Sequence, residues 1–173
     1  MDKESRFREV IEAYKDRVYR LCCCYVSGLD ERKDVYQDAL VNIWRSLDRF
    51  EGKSEVSTWI YRIVVNTCLG YLRKERIRNK VFDNMTVIDE ADVPNLEQAQ
   101  DSLEVMSDVQ HLYACVDRLP YVDRTLVSLY LEDLSTKEMA DILSISEVNV
   151  RVKLHRIKKT LREMWREVEH GTE

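Results

Sequence analysis

The chain has 173 residues, 45% of them hydrophobic, with four Gly and two Pro, enough to bury the core of one ordinary domain or two small ones. Asp and Glu (32) outnumber Lys and Arg (27), so the formal charge is −5, which does not describe a generic basic nucleic-acid binder. The longest run free of charge, Ile63 to Leu72, is ten residues against the roughly 20 that a membrane-spanning helix needs, which excludes a transmembrane anchor.

The N-terminal run Met1-Asp2-Lys3-Glu4-Ser5-Arg6 opens into charged helical pattern without an apolar signal segment, so a cytoplasmic location without membrane insertion is expected. Five Cys (Cys22, Cys23, Cys24, Cys68, Cys115) are odd in number and lack paired C-x-x-C spacing, so neither a disulfide framework nor a standard zinc site is expected. Adjacent side chains of the Cys22-Cys23-Cys24 run point about 100° apart on a helix, which makes ordinary half-buried thiols the expectation. No metal or other cofactor is expected.

Charge is distributed unevenly. Residues 1–80 carry 17 basic and 13 acidic side chains, residues 81–117 carry none and nine, and residues 118–173 carry ten of each. The middle stretch holds Pro94 and the polar run Asp89-Glu90-Ala91-Asp92, which marks an acidic linker. The expected division is therefore 1–80, a linker over 81–100, and 101–173.

In chain order, helical periodicity covers about residues 3–26, 31–49 and 55–79, broken at Ser27-Gly28-Leu29-Asp30 and Phe50-Glu51-Gly52-Lys53-Ser54. On the second helix Tyr36, Leu40, Ile43, Trp44 and Leu47 share the expected core side. Asp34, Asp38, Val41, Asn42, Arg45 and Arg49 lie opposite, a stripe suited either to a protein partner or to plain solvent. On the third, Ile60, Ile63, Val64, Thr67 and Tyr71 are expected to face inward, with Trp59, Arg62, Asn66, Leu69 and Arg73 opposite. A platform aromatic, an amide and several Arg on one face are the components of unstacked-base binding. The competing reading of Trp59 is a core side chain packed on the adjacent loop, whose Ser54, Ser57 and Thr58 can offer hydroxyls to an extruded base.

Beyond the linker, helical pattern covers about 101–118, 121–132, 135–143 and 147–168, with Pro120 marking a helix start. Ser135 with Glu138 forms an S-x-x-E capping box and Ser146 can cap the following helix. Met139, Ala140, Ile142 and Leu143 supply an inner face and Ile145 plugs the corner, the pattern of a helix-turn-helix. On its second helix Val150, Leu154, Ile157 and Leu161 form the core stripe, and Val152, His155 and Lys159, flanked by Arg151 and Arg156, form a basic face able to meet duplex DNA. No segment alternates with period two for long enough to argue a strand, so the expected fold class is all-α, two small helical domains joined by an acidic linker.

Two long runs closely resemble region 2 of bacterial sigma factors of the extracytoplasmic-function group: Asp34-Val35-Tyr36-Gln37-Asp38-Ala39-Leu40 with Trp44 to Phe50, and Ser57 to Asn66. Leu119-Pro120 through Leu131-Glu132-Asp133-Leu134-Ser135 to Leu161 resembles region 4 of the same group. The resemblance implies a three-helix region 2, a four-helix region 4 and a non-enzymatic subunit that binds core RNA polymerase and directs it to promoter DNA. It implies polymerase docking through Asp34, Gln37, Asp38, Asn42 and Arg45. It also implies recognition of the −10 element as single-stranded DNA with a flipped base, through Ser54, Ser57, Thr58, Trp59, Arg62, Asn66 and Arg73. Duplex −35 recognition falls to Arg151, Val152, Lys153, His155 and Arg156. An anti-sigma factor is a further partner by family habit. Val152 and Lys153 stand where many relatives carry Ser and Arg, which leaves the −35 sequence preference open, and Leu40 stands where an aromatic is common.

Two other classes compete. A free-standing helix-turn-helix regulator with an N-terminal sensing or dimerisation domain would need strong autonomous DNA binding, which the near-neutral C-terminal part does not favour. An enzyme is opposed by the absence of patterned partners for His111, His155 and His170 and of a Gly-rich phosphate loop. His111 is expected as a surface or packing residue and His170 in a frayed tail.

Overall fold

A computed structural model of the chain describes residues 2–82 and 108–170. Within them run α1 (Lys3–Cys23), α2 (Leu29–Ser46) with a 3-10 turn at Leu47–Arg49, α3 (Val56–Phe82), α4 (Asp108–Asp117), α5 (Tyr121–Leu131), α6 (Thr136–Leu143) and α7 (Glu147–His170). The described residues hold no strand, and the fold is all-α. The acidic stretch with Asp89, Glu90, Asp92 and Pro94, and the start of the helix expected from residue 101, lie outside the described residues.

Helix limits shift where local bonds end or extend the pattern. Helix α1 stops at Cys23, short of the expected 26, because the next amides turn back: Cys24 donates to the Leu21 carbonyl and Tyr25 to that of Cys22, each at 3.1 Å. The Arg32 guanidinium donates to the Val26 carbonyl at 3.0 Å and holds the corner. Helix α2 starts two residues earlier than its pattern, at Leu29, with Gly28 in extended conformation as its N-cap. Helix α7 extends to His170, which therefore belongs to the last helical turn and not to a frayed tail.

The N-terminal helices bury a stripe that overlaps only in part with the one the periodicity marks: Ile43, Leu47, Ile60 and Val64 are common to both. Val35, Ala39, Ile43 and Leu47 are the buried residues of α2 and its 3-10 turn, while Tyr36, Leu40 and Trp44 stay half-buried. Aliphatic side chains fill the space between the helices, and the large rings close the rim. Trp44 stands edge-on to Phe7 at 5.1 Å, with the Lys3 ammonium 4.9 Å from its ring, and Tyr36 is edge-on to Tyr19 at 5.6 Å. In α3 the buried set is Ile60, Tyr61, Val64, Val65 and Cys68, whereas Ile63, Thr67 and Tyr71 are half-buried. The arc widens because α3 packs on α1 and α2 along one side and on α6 along another.

The C-terminal helices follow their pattern closely. Met139, Ala140 and Ile142 of α6 and Val150, Leu154 and Ile157 of α7 are buried, with Leu143, Ile145 and Leu161 half-buried around them. The Ser135 hydroxyl accepts the Glu138 amide at 3.2 Å and the Glu138 carboxylate accepts the Ser135 amide at 2.8 Å, completing the capping box. Ser144 adopts the left-handed conformation (φ 56°) that turns the chain between α6 and α7, and the Ser146 hydroxyl accepts the Asn149 amide at 3.2 Å. One continuous cluster of buried side chains joins Val18, Ile60 and Val64 to Leu126, Met139, Ile142 and Val150.

Ile60 is fully buried where that cluster is continuous, so Ile60→Ala is expected to cost about 2–5 kcal/mol, against about 1 kcal/mol for Ser135→Ala at the cap. Urea unfolding followed by helical circular dichroism measures both, and the order of the two losses is the outcome to check.

Candidate polymerase and nucleic-acid surfaces

Helix α2 presents Asp34, Gln37, Asp38 and Arg45 to solvent along one side, together with Val41. Asn42 differs from them. Its amide donates to the Thr67 hydroxyl at 3.0 Å, and that hydroxyl donates to the Ile63 carbonyl at 2.8 Å, so Asn42 ties α2 to α3. A stripe reading from the helical wheel puts Asn42 with the exposed polar residues, whereas the structure makes it a half-buried strut behind them.

The loop into α3 carries Gly52 at φ 70°, a left-handed conformation that glycine adopts without the Cβ penalty. Ser54 is exposed beyond it and Ser57 half-buried. Trp59 is half-buried with its ring 4.9 Å from that of Phe50, so the packed reading of this residue holds in part and its free face is limited. Thr58 is only 3% exposed and its hydroxyl donates to the Glu138 carboxylate of α6 at 3.2 Å. Arg62, Asn66 and Arg73 lie on the exposed side of α3, as their spacing predicts. The Arg62 guanidinium reaches α6, donating to the Asp141 carbonyl through Nε at 3.1 Å and Nη2 at 2.9 Å. Arg73 folds back onto the Leu69 carbonyl at 3.3 Å.

On α7 the residues Arg151, Val152, His155 and Arg156 are exposed, with Val152 at 43%, and Lys153 is half-buried, 3.8 Å from Asp123. Glu147 links the two arms of the helix-turn-helix, because its carboxylate accepts the Thr136 hydroxyl at 2.7 Å and pairs with Arg151 at 2.5 Å. Those two partners, Thr136 first, hold the Glu147 carboxyl below its ordinary range. Val148 and Asn149 are also exposed at the start of α7, where a recognition helix meets base edges. Sequence reasoning that began at Arg151 missed them, although the cap at Ser146 already marked the first turn.

The remaining chemistry-bearing side chains are packed. His111 stacks on Trp165 with ring centres 4.3 Å apart. All five Cys are free, with Cys22, Cys68 and Cys115 buried. Burial pushes the Cys23 thiol up and the Cys24 thiol up to about 11, and a hydrogen bond with Cys22 together with burial pushes Cys68 well up. Such thiols stay protonated at neutral pH and make poor nucleophiles.

The sigma-70 region 2 model matches residues 10–78, and the sigma-70 region 4 model matches residues 110–161. The chain belongs to the sigma factors of the extracytoplasmic-function group. The sigma factor is 29% identical over 174 residues to the ECF RNA polymerase sigma factor SigW of Bacillus subtilis, covering 95% of this chain and 91% of that one. It is also 29% identical over 169 residues to the ECF RNA polymerase sigma-E factor of Escherichia coli K12, covering 91% and 85%. A similar fold occurs in the sigma factor RpoE solved with the anti-sigma factor NepR from Bartonella quintana, at TM-score 0.71 and 19% identity over 93% of this chain and 97% of that one. CnrH, solved with the cytosolic domain of CnrY, follows at TM-score 0.61 and 17% identity over 93% and 88%. As a sigma factor the protein directs transcription initiation. Among the described residues no helix is long and apolar enough to cross a membrane.

Glu138 supplies a pH-dependent check on this surface. Hydrogen bonds from the Ser135 hydroxyl and then its amide hold the carboxyl below its ordinary value of 4.5. A depressed carboxylate contributes stability that is complete above the ordinary value and lost as pH falls through the depressed one. Glu138→Gln is therefore expected to lose less stability than the wild type between about pH 5 and pH 3, as thermal melts across that range measure.

Proposed function

We propose that this sigma factor binds core RNA polymerase through the exposed side of α2, using Asp34, Gln37, Asp38 and Arg45, with Asn42 holding that helix in register from behind. The acidic and polar composition of the surface supports a partner presenting basic helices. Ser54, Ser57, Thr58, Trp59, Arg62, Asn66 and Arg73 read the −10 element as unpaired strand. Hydroxyls and an amide supply base-edge partners, an aromatic offers a stacking edge, and the arginines anchor phosphates. Arg151, Val152, Lys153, His155 and Arg156 read the −35 duplex, the valine suited to a thymine methyl and an arginine to guanine.

In this reading residues 1–80 and 101–173 are the two working units and 81–100 tether them. The protein acts in the cytoplasm beside polymerase, performs no catalysis itself, and is held inactive by an anti-sigma factor. The observation that carries the reading is the occurrence of both sigma regions in order on one chain. A free-standing regulator finds no comparable support, since its duplex-reading helix belongs to a stretch, residues 118–173, whose ten basic residues are balanced by ten acidic ones.

Run-off transcription tests the assignment. Purified protein added to core polymerase is expected to yield promoter-specific transcripts, and no gain over core enzyme alone would overturn the proposal. Arg156→Ala is expected to weaken −35 duplex recognition by about tenfold, corresponding to about 1–3 kcal/mol for a lost base contact. Asn66→Ala is expected to impair −10 selection or opening while leaving affinity for core polymerase intact. Loss of core binding by Asn66→Ala would show that the roles of α2 and α3 are wrongly divided.

A further inference from the structure

Two valines are out of keeping with the rest of α7. Val148 is 65% exposed and Val152 43%, four residues apart on a helix whose other exposed positions, as far as Arg166, are polar or charged. At about 100° per residue Val152 stands almost directly opposite the buried stripe of Val150, Leu154 and Ile157. Val148 then lies about 40° to one side of it and Asn149 about 60° to the other. The three make up the middle of the outward face over the first two turns.

The cations of the same turns stand at the margins and are drawn aside. Arg151 reaches back to the Glu147 carboxylate at 2.5 Å, which the Thr136 hydroxyl also holds at 2.7 Å, and Lys153 lies 3.8 Å from Asp123 of α5. What remains between them is uncharged: two methyl-bearing side chains and one carboxamide. Asn149 contributes its backbone amide, not its side chain, to the cap at Ser146, and the carboxamide is exposed. Such a set has a definite complement in the major groove. A carboxamide pairs at two points with adenine, donating to N7 and accepting from the N6 amino group, whereas guanine shows two acceptors on that edge. A valine methyl finds its apolar contact at the C5-methyl of thymine. A·T pairs meet both demands.

We propose that the first two turns of α7 read consecutive A·T pairs in the −35 duplex: Asn149 takes the edge of an adenine, and Val148 and Val152 take the methyl groups of neighbouring thymines. Base identity in this part of the element is thus set by uncharged side chains. The proposal rests on the −35 role given to α7 above. It adds to that role two residues, Val148 and Asn149, and the bases they discriminate. Arg156, exposed one turn beyond Val152 on the same face, is left to guanine or phosphate contact at the flank.

An A·T preference has a second physical source, the stiffness and narrow minor groove of adenine runs, which a protein reads without touching major-groove atoms. The test therefore removes single major-groove atoms and keeps base pairing intact. Holoenzyme made from core polymerase and the full chain transcribes a pool of promoter duplexes randomised across the −35 element. The most productive sequence is then rebuilt with 7-deazaadenine for each adenine in turn, which lacks the N7 acceptor, or uracil for each thymine, which lacks the methyl. Wild type, Asn149→Ala, Val148→Ala and Val152→Ala are compared at matched helix content.

The wild type is expected to select at least two consecutive A·T pairs and to lose about fivefold in transcription at one 7-deazaadenine position. Uracil at the contacted thymines is expected to cost about threefold each. Asn149→Ala is expected to lower transcription from the unmodified template and to abolish the sensitivity to 7-deazaadenine, and the valine variants to abolish the sensitivity to uracil, since a contact already removed is not lost twice. Selection of a −35 sequence without consecutive A·T pairs would overturn the proposal. So would an A·T preference that survives every modified base, the mark of duplex shape, or variants that lose equally on all templates, the mark of side chains that touch a protein. Absence of promoter-specific transcripts from the wild type would count against the sigma assignment itself. Normal transcription whose sensitivities the three substitutions leave unchanged would count against this reading alone.

Discussion

Helix α3 must bury two sides at once, and most of the molecule follows from how it does so. Ile60, Tyr61, Val64, Val65 and Cys68 spread over an arc too wide for a single neighbour, so α1 and α2 cover part of it and α6 covers another. The same helix carries the polar residues whose spacing suits unpaired DNA. Under the proposed −10 role packing and recognition share one element, and whatever leans on α3 for its core also leans on the edge of the proposed reading surface. Thr58 and Arg62 stand on that edge.

Electrostatics reinforces this economy. The basic excess lies in the N-terminal 80 residues, the C-terminal part is balanced, and residues 81–117 hold nine acidic side chains without a basic one. Neither half has the charge for tight autonomous binding, and linking two weak readers on one chain makes the second contact effectively intramolecular once the first is made. Glu132 shows how an acidic residue on one half can use basic residues on the other while no nucleic acid is present.

The C-terminal helices were the most legible part of the sequence because local rules agree there. Ser135, Glu138 and Ser146 fix the helix starts, and the apolar stripe of Val150, Leu154, Ile157 and Leu161 matches what is covered. In the N-terminal helices the wheel found Ile43, Leu47, Ile60 and Val64 but centred the arc to one side. It favoured the bulky Tyr36 and Trp44 over Val35 and Ala39, because hydrophobic size does not say which residues the neighbouring helices cover fully. Tyr61 and Cys68 were missed because they face α1, Tyr61 edge-on to Tyr14 and Cys68 hydrogen-bonded to Cys22, a second buried side that a single-stripe reading of α3 omits. The side-chain strut from Asn42 to Thr67 and the capture of the Asp141 carbonyl by Arg62 likewise depend on tertiary placement, to which periodicity is blind.

The duplex-facing helix also carries its own counter-charges. Arg151 holds Glu147, Lys153 approaches Asp123, and Lys159 approaches Glu163. A phosphate arriving at such a cation displaces a carboxylate of the same chain as well as ions from solution, so fewer ions are liberated per contact than the number of basic residues implies. Salt then governs this association less steeply than it would for an equally basic helix without acidic neighbours. The carboxylates left beside the groove repel any backbone that does not compensate them with well-placed contacts. If α7 reads the −35 duplex as proposed, these pairs lower affinity uniformly and leave well-placed contacts to restore it, which favours discrimination over strength.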